Sequence, residues 1–363
     1  MVQTRKYQET IYSNSMTTLD FTRIELQQLI THHIGNKLRD EKYLLSSENS
    51  TIEERTKDLL LKYFLLPIKV EEFYSFTHSI KLSLNGVFSV VEDMFSNTSN
   101  FIPSSQNIAK HLYEYSMHPK IKEGELNIAY FTNVILDDEV IEAIGIFKSE
   151  TNVPFIKMNN GKSNFSIQHD YGYEIKGMDK GCIIFNTGKS NGYKILIVDN
   201  LNKSTEAQYW KNDFLDVKPI SNEFHQTNQF LGIAKNFVTK KLSEEFEVSK
   251  ADKIDLLNRS VDYFKTHDNF DKKEFEKEVF QDSNIIESFR SFDSVYRVDN
   301  EIKLNDNFEI SQQAVKKQAK VFKSVLKLDK NFDIYIHGNR ELIEQGVEKD
   351  GRKFYKIYYI DES

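Results

Sequence analysis

Apolar positions along this chain change their period twice. From about residue 50 to residue 119 they recur every three or four residues, the spacing of a helix face. "STIEERTKDLLLKYFLLPI" predicts a helix that Ser50 or Thr51 caps, with Glu53 and Glu54 in its first turn and Pro67 at its end. "VEEFYSF" and "NGVFSVVEDMF" follow with helical spacing. "SSQNIAKHLYEYSMHP" predicts another helix, with Ile108, Leu112 and Tyr115 on one face and Pro119 as its stop. The period then shortens. "GELNIAYFTNVILDDE" and "VIEAIGIFKSE" read as strands joined by an acidic turn at Asp137-Asp138, and "VPFIKM", "FSIQ", "GCIIFN" and "YKILIVD" continue the series. Short strands between Gly, Asn and Ser clusters predict a largely antiparallel sheet.

Helical spacing returns in "TNQFLGIAKNFVTKKLSEEF", through Phe230, Ala234, Phe237 and Lys241, and in "KADKIDLLNRSVDYFKTH" and "DKKEFEKEVF". Near the C-terminus Asp350-Gly351 separates two alternating runs, a strong hairpin signal. No internal repeat is present. The expected fold is α+β: N-terminal helices plus a mainly antiparallel sheet in residues 1–220, then a helical region with a small C-terminal β segment in residues 221–363.

One polar pattern stands out. In "AVKKQAKVFKSVLK" (314–327), Lys316, Lys320, Lys323 and Lys327 recur at four, three and four residues, and Lys330 continues the series. On a helix these five fall within an arc of roughly 80°, opposite Val315, Ala319, Phe322, Val325 and Leu326. With Lys317, residues 311–330 hold six lysines and one acid, Asp329, in a chain of net charge -7. Such a rail suits DNA phosphates, and its lack of arginine argues against bidentate reading of guanine. Lys235, Lys240 and Lys241 form a weaker second group. The competing reading of the rail is a solvated helix face.

Composition narrows the classes. The chain has 363 residues, 39% hydrophobic and 28% charged, with 27 Phe and 18 Tyr, enough for aromatic-rich cores. Cys182 is the sole cysteine, so no intrachain disulfide forms; its place in "GCIIFN" predicts a buried, inert thiol in a reducing compartment. No apolar stretch follows the basic N-terminal residues, and runs such as "YFLLPI" are far too short for a membrane span. A soluble cytoplasmic protein with no membrane partner is expected.

Catalytic patterns are weak. "GKS" occurs at Gly161–Ser163 and Gly188–Ser190, but the position five before each glycine holds Ile156 or Ile183 where a phosphate loop needs glycine. Both read as turns. His32-His33 are adjacent and point in different directions, and no zinc spacing appears, so no metal or other cofactor is expected. Glu174-Ile175-Lys176, downstream of Asp137, Asp138 or Asp170, has the layout of a Mg²⁺-dependent nuclease, with a solvated strand face as the plainer reading. No hydrolase elbow is present.

Longer blocks carry more. "YFLLPIKVEEFYSFTH", "IAKHLYEYSMHPKIKEGELNIAYF", "EAIGIFKSE", "DKGCIIFN", "STEAQYWKNDFL" and "FDIYIHGNRELIEQGVEKDGRKFYKIYYI" resemble the bacterial nucleoid-associated protein family typified by YejK (NdpA), in a Bacteroidetes-type variant. The resemblance runs from about Ile24 to the C-terminus. It implies a non-enzymatic protein of the cytoplasm that joins the nucleoid, binds double-stranded DNA and is linked to topoisomerase. It transfers no DNA-contact residue. The alternatives are an acidic interaction module recruited by a DNA-bound partner and, further off, the nuclease. In a homodimer, two symmetry-related rails would form one longer track.

Overall fold

The computed structural model describes residues 18–70, 72–200, 209–300, 302–320, 322, 325–336 and 340–361. The chain divides into two compact units, 1–220 and 221–363. In the first, β1 (Leu19–Asp20), β2 (Glu25–Ile34), α1 (Glu54–Leu65), β3 (Tyr74–Phe76), α2 (Gly86–Ser96) and α3 (Phe101–Tyr115) precede β4 (Gly124–Leu136) and β5 (Glu139–Ser149). Strands β6 (Val153–Asn160), β7 (Phe165–Gly172), β8 (Lys180–Phe185), β9 (Lys194–Asp199) and β10 (Val217–Pro219) follow. Eight of these strands form one antiparallel sheet in the order β1-β4-β5-β8-β9-β3-β10, with β2 also on β4. Both faces of its centre are covered. Ile128, Ile144, Ile146, Cys182 and Ile184 pack toward α2 and α3, while Ala129, Phe131, Ala143, Phe147 and Ile183 pack toward α1. That is why these strands read as nearly continuous apolar runs.

Phe147 shows how tight the α1 side is. Its ring stacks on Phe64 at 4.5 Å, and a Cβ on Gly145 or Gly181 would fall 2.2 or 2.6 Å from it. Only glycine on the flanking strand positions leaves room for the ring. Cys182 is buried as expected, and burial pushes its thiol well above the ordinary range.

Three local expectations are corrected. Tyr74–Phe76 of "VEEFYSF" form strand β3, whose edges pair with β9 and β10 and whose residues are all buried; a short aromatic run fits either period, and sheet pairing wins. Helix α1 starts after Glu53, without a side-chain cap from Ser50 or Thr51. Tyr115 is exposed while Ile108 and Leu112 are buried. In addition, "VPFIKM" and "FSIQ" do not join the large sheet. They form β6 and β7, a separate two-stranded hairpin.

The second unit is helical, then β. It contains α4 (Glu223–Asn236), α5 (Leu242–Glu245), α6 (Lys250–Thr266), β11 (Asn269–Asp271), α7 (Lys272–Phe275), α8 (Ser283–Asp299), β12 (Asn307–Glu309) and α9 (Gln312–Ala319). Two C-terminal hairpins follow, β13 (Val325–Leu328) with β14 (Phe332–Tyr335), and β15 (Ile343–Val347) with β16 (Lys353–Ile357). A π-helical turn at Phe237–Lys241 joins α4 to α5. The core is built on phenylalanine: Phe230 lies within 4.2 to 6.0 Å of Phe264, Phe270, Phe275 and Phe289. Gly351, at φ 88, turns the last hairpin as predicted. No described helix is long and apolar enough to cross a membrane.

His32 is a titratable probe of the first unit. Its Nδ1 accepts from the Ser46 N–H at 3.1 Å, so Nε2 donates to Ser105 Oγ at 3.0 Å. Burial lowers its pKa from 6.5 to about 4. A folded-state pKa below the unfolded one leaves stability complete above pH 6.5 and removes it as pH falls toward 4. His32→Gln should flatten that window: the stability lost between pH 6.5 and 4.5, measured by urea unfolding, should shrink by about 2–3 kcal/mol.

Candidate nucleic-acid interface

Ser311 caps α9, accepting from the Ala314 N–H. Ala314 and Val315 are buried, and Lys316, Lys317 and Lys320 are exposed. A continuous rail would need the helix to reach Lys330. Instead α9 ends at Ala319. Lys327 projects from β13 and pairs with Asp333, its cross-strand neighbour, at 3.4 Å. Lys330 lies in the turn after Asp329, which holds φ at 53. Lys323 lies outside the described residues. The predicted single arc is therefore broken into a helix turn, a strand and a loop. The cause is tertiary: pairing β13 with β14 buries Leu326 with Ile254 and Ile336, and that gain outweighs a helical period. Of the five residues expected inside, Val315, Phe322 and Leu326 are buried, and Ala319 and Val325 are half-buried.

The fold brings together a different set. Phe224, Asn228 and Lys235 share one face of α4, at spacings of four and seven. Lys317 Nζ lies 5.4 Å over the Phe224 ring, Gln318 donates to Asn228, and Lys235 Nζ lies 6.0 Å over Phe322. Lys235 and Lys317 thus reach one α4–α9 seam, held by cation–π contact. Among the described residues, no carboxylate lies within ion-pair distance of Lys316, Lys320, Lys240 or Lys330. Lys241 differs. Hydrogen bonds to Glu244 (2.9 Å) and Glu245 (3.0 Å) neutralise it and raise its pKa.

A second constellation has no counterpart in the sequence reading. Where β5 and β8 leave the sheet, Lys148 and Lys180 are 0% and 1% exposed. Lys148 Nζ donates to Lys122 O at 2.8 Å and to Glu150 Oε1 at 2.9 Å; Lys180 Nζ donates to Asp199 at 3.2 Å. The Tyr209 hydroxyl donates to Glu150 at 3.3 Å, and Tyr63 bonds Ser149 at 2.6 Å. Asp179, 3% exposed, accepts from Glu150 N, Thr151 N and Thr151 Oγ1 at 2.5, 2.7 and 2.9 Å. Burial lowers the Lys148 pKa against the opposing pull of Glu150. The available signal was charge inside apolar strands: "GIFKSE" and "DKGCIIFN" contain four of these groups.

The weaker motifs resolve plainly. Glu174-Ile175-Lys176 sits in an exposed turn, not on a strand face. Asp137 lies at the opposite end of β5, on the order of 30 Å away along the strand, paired with Lys194. Asp170 is on β7. No nuclease-like grouping of these residues forms. Both GKS segments are turns, at the β6–β7 tip and between β8 and β9. His33 faces Glu123 and Glu125 on the side of β2 away from His32. His267, Glu274 and Glu278 come close enough to hold a metal ion. There His267 Nδ1 donates to Tyr263 O at 2.9 Å, Glu274 accepts from the Tyr263 hydroxyl at 2.9 Å, and Glu278 lies 3.9 Å from His267 Nε2. An open cleft of about 520 Å³ beside Lys241, Glu245 and Phe292 contains the neutralised Lys241 pair.

The described residues form a two-unit α+β protein whose second unit exposes Lys316, Lys317 and Lys320 beside helix α4. The family model described as nucleoid-associated protein YejK matches residues 30–352, and the chain belongs to that family. No curated protein matches it significantly.

The buried cluster makes a direct prediction. Asp179→Ala should leave two N–H groups and a hydroxyl without their acceptor and lower the stability of the protein by about 3 kcal/mol in urea unfolding. Lys327→Ala, which breaks only an exposed pair, should change it by less than about 1 kcal/mol.

Proposed function

We propose that the protein is a non-enzymatic component of the bacterial nucleoid that contacts double-stranded DNA through backbone phosphates. Family membership carries this reading. The exposed lysines of the second unit supply a physical route. Lys316 on α9 and Lys320 at its C-cap lie one turn apart, about 6 Å, with Lys317 over Phe224 and Lys235 over Phe322 along the α4–α9 seam. Lys240, Lys323, Lys327 and Lys330 add charge along the same two segments, and Lys241 contributes least because two glutamates already neutralise it. Ammonium groups act as point charges, so such contact tolerates any sequence and weakens steeply with salt. It needs no cofactor. The place of action is the nucleoid in the cytoplasm.

Net charge -7 favours a second reading, in which a DNA-bound partner such as a topoisomerase recruits the protein. One experiment separates the two. Binding of the purified protein to a random-sequence duplex is measured by fluorescence anisotropy across a salt series. Direct contact predicts measurable binding whose log–log salt slope falls by about 2 in Lys316→Glu/Lys320→Glu. An unchanged slope removes these lysines as the contact. No binding by the wild type at low salt, with co-purification of a DNA-binding partner, overturns direct binding in favour of recruitment.

A further inference from the structure

The β6–β7 hairpin is an amphipathic arm with an uncovered apolar face. Its register pairs Pro154 with Tyr171, Ile156 with His169, Met158 with Ile167, and Asn160 with Phe165. Directly paired residues share a face of an antiparallel ribbon, and faces alternate along each strand. All the large apolar side chains in these pairs therefore project one way. The opposite face carries Phe155 with Asp170, Lys157 with Gln168, and Asn159 with Ser166. There Phe155 packs over Gly172, and Asn159 donates to Gln168 at 3.1 Å. The apolar side has no such cover: Ile156, Met158, Phe165, Ile167 and Tyr171 are 69%, 68%, 67%, 69% and 59% exposed.

The arm's root, by contrast, is fixed. Asp179 at the start of β8 holds Glu150 and Thr151 at the end of β5, so both stems of the arm are tied to one carboxylate. A lone hairpin is marginal in water, and a contiguous apolar patch of this kind marks an interaction surface. Anchored stems and an uncovered face are what an association arm requires.

We propose that this face pairs with the same face of a second copy of the chain. Area supports it. Five side chains with on the order of 120 Å² open each give roughly 600 Å² per arm, and two arms give about 1,200 Å², the lower bound of standard specific interfaces. Charge supports it as well. A two-fold contact sets each face against itself, so a fixed charge would meet its own like charge. Lys157 and Asp170 sit on the other face, and Lys162 sits at the tip. His169 is the one residue on the apolar side able to carry positive charge, and it lies edge-on to Tyr171. DNA is the poorer occupant: residues 153–172 carry Lys157 and Lys162 against Asp170, a net +1, too little to track phosphates.

The test uses the full-length protein without DNA, so it is independent of the DNA-binding reading. Sedimentation equilibrium at micromolar concentration should show a dimer. Ile156→Lys/Ile167→Glu should weaken it by more than about tenfold while far-UV circular dichroism stays unchanged. Lys157→Gln on the opposite face should leave it intact. A cross-linking pair guards against misfolding: Ile167→Cys should form a disulfide-linked dimer under mild oxidation, and Gln168→Cys should not. Natural Cys182 is buried and does not interfere. A monomeric wild type, a dimer untouched by the double substitution, or equal cross-linking from both cysteine positions overturns the proposal. So does an arm that cross-links to DNA while the protein remains monomeric.

Discussion

The carboxylate of Asp179 closes the point where β5 and β8 leave the sheet, and the ion pairs around it govern what the surrounding chain can do. Two lysines buried at that edge would be ruinous alone, because removing an ammonium from water costs several kcal/mol. Each is matched. Lys148 has Glu150 and a main-chain carbonyl, and Lys180 has Asp199 and the face of Tyr209 at 5.7 Å. Such pairs add little net stability over apolar packing, but they penalise every other register. Here register matters, since a shift of one residue would exchange the two buried faces of the sheet.

The same cluster connects the sheet to the β6–β7 arm. Helices α1, α2 and α3 account for the faces of the sheet, and Phe147 between Gly145 and Gly181 leaves no slack on one of them. The arm receives none of this cover. Its order depends on its tied root and on whatever meets its apolar face. In the second unit the phenylalanine core does the equivalent work, holding α4 against α9 so that Lys317 reaches Phe224 and Lys235 reaches Phe322.

Much of the architecture was legible in one sequence. The α2 and α3 helices, β4, β5, β8 and β9, and the last hairpin all followed from period and turn chemistry. Helix α8 went unread although Asp282 caps it and Phe289 and Phe292 mark its inner side, because its apolar stripe is narrow. The lysine rail was misread for a related reason. Over a segment as short as 314–330, apolar residues at 315, 319, 322 and 326 fit a single helix as well as they fit a helix followed by a strand.

Within residues 314–330 the sequence by itself determined which side chains go inside. Val315, Phe322 and Leu326 are buried and Lys316, Lys320 and Lys327 are exposed, whatever element carries them, because transfer from water depends on side-chain chemistry and not on backbone form. Only the tertiary structure decided where the polar groups meet. Lys148 and Lys180, Asp179 and Thr151, and Lys317 and Phe224 are brought together by strand pairing and helix packing. Those contacts join residues far apart in the chain, and local periodicity holds no information about them.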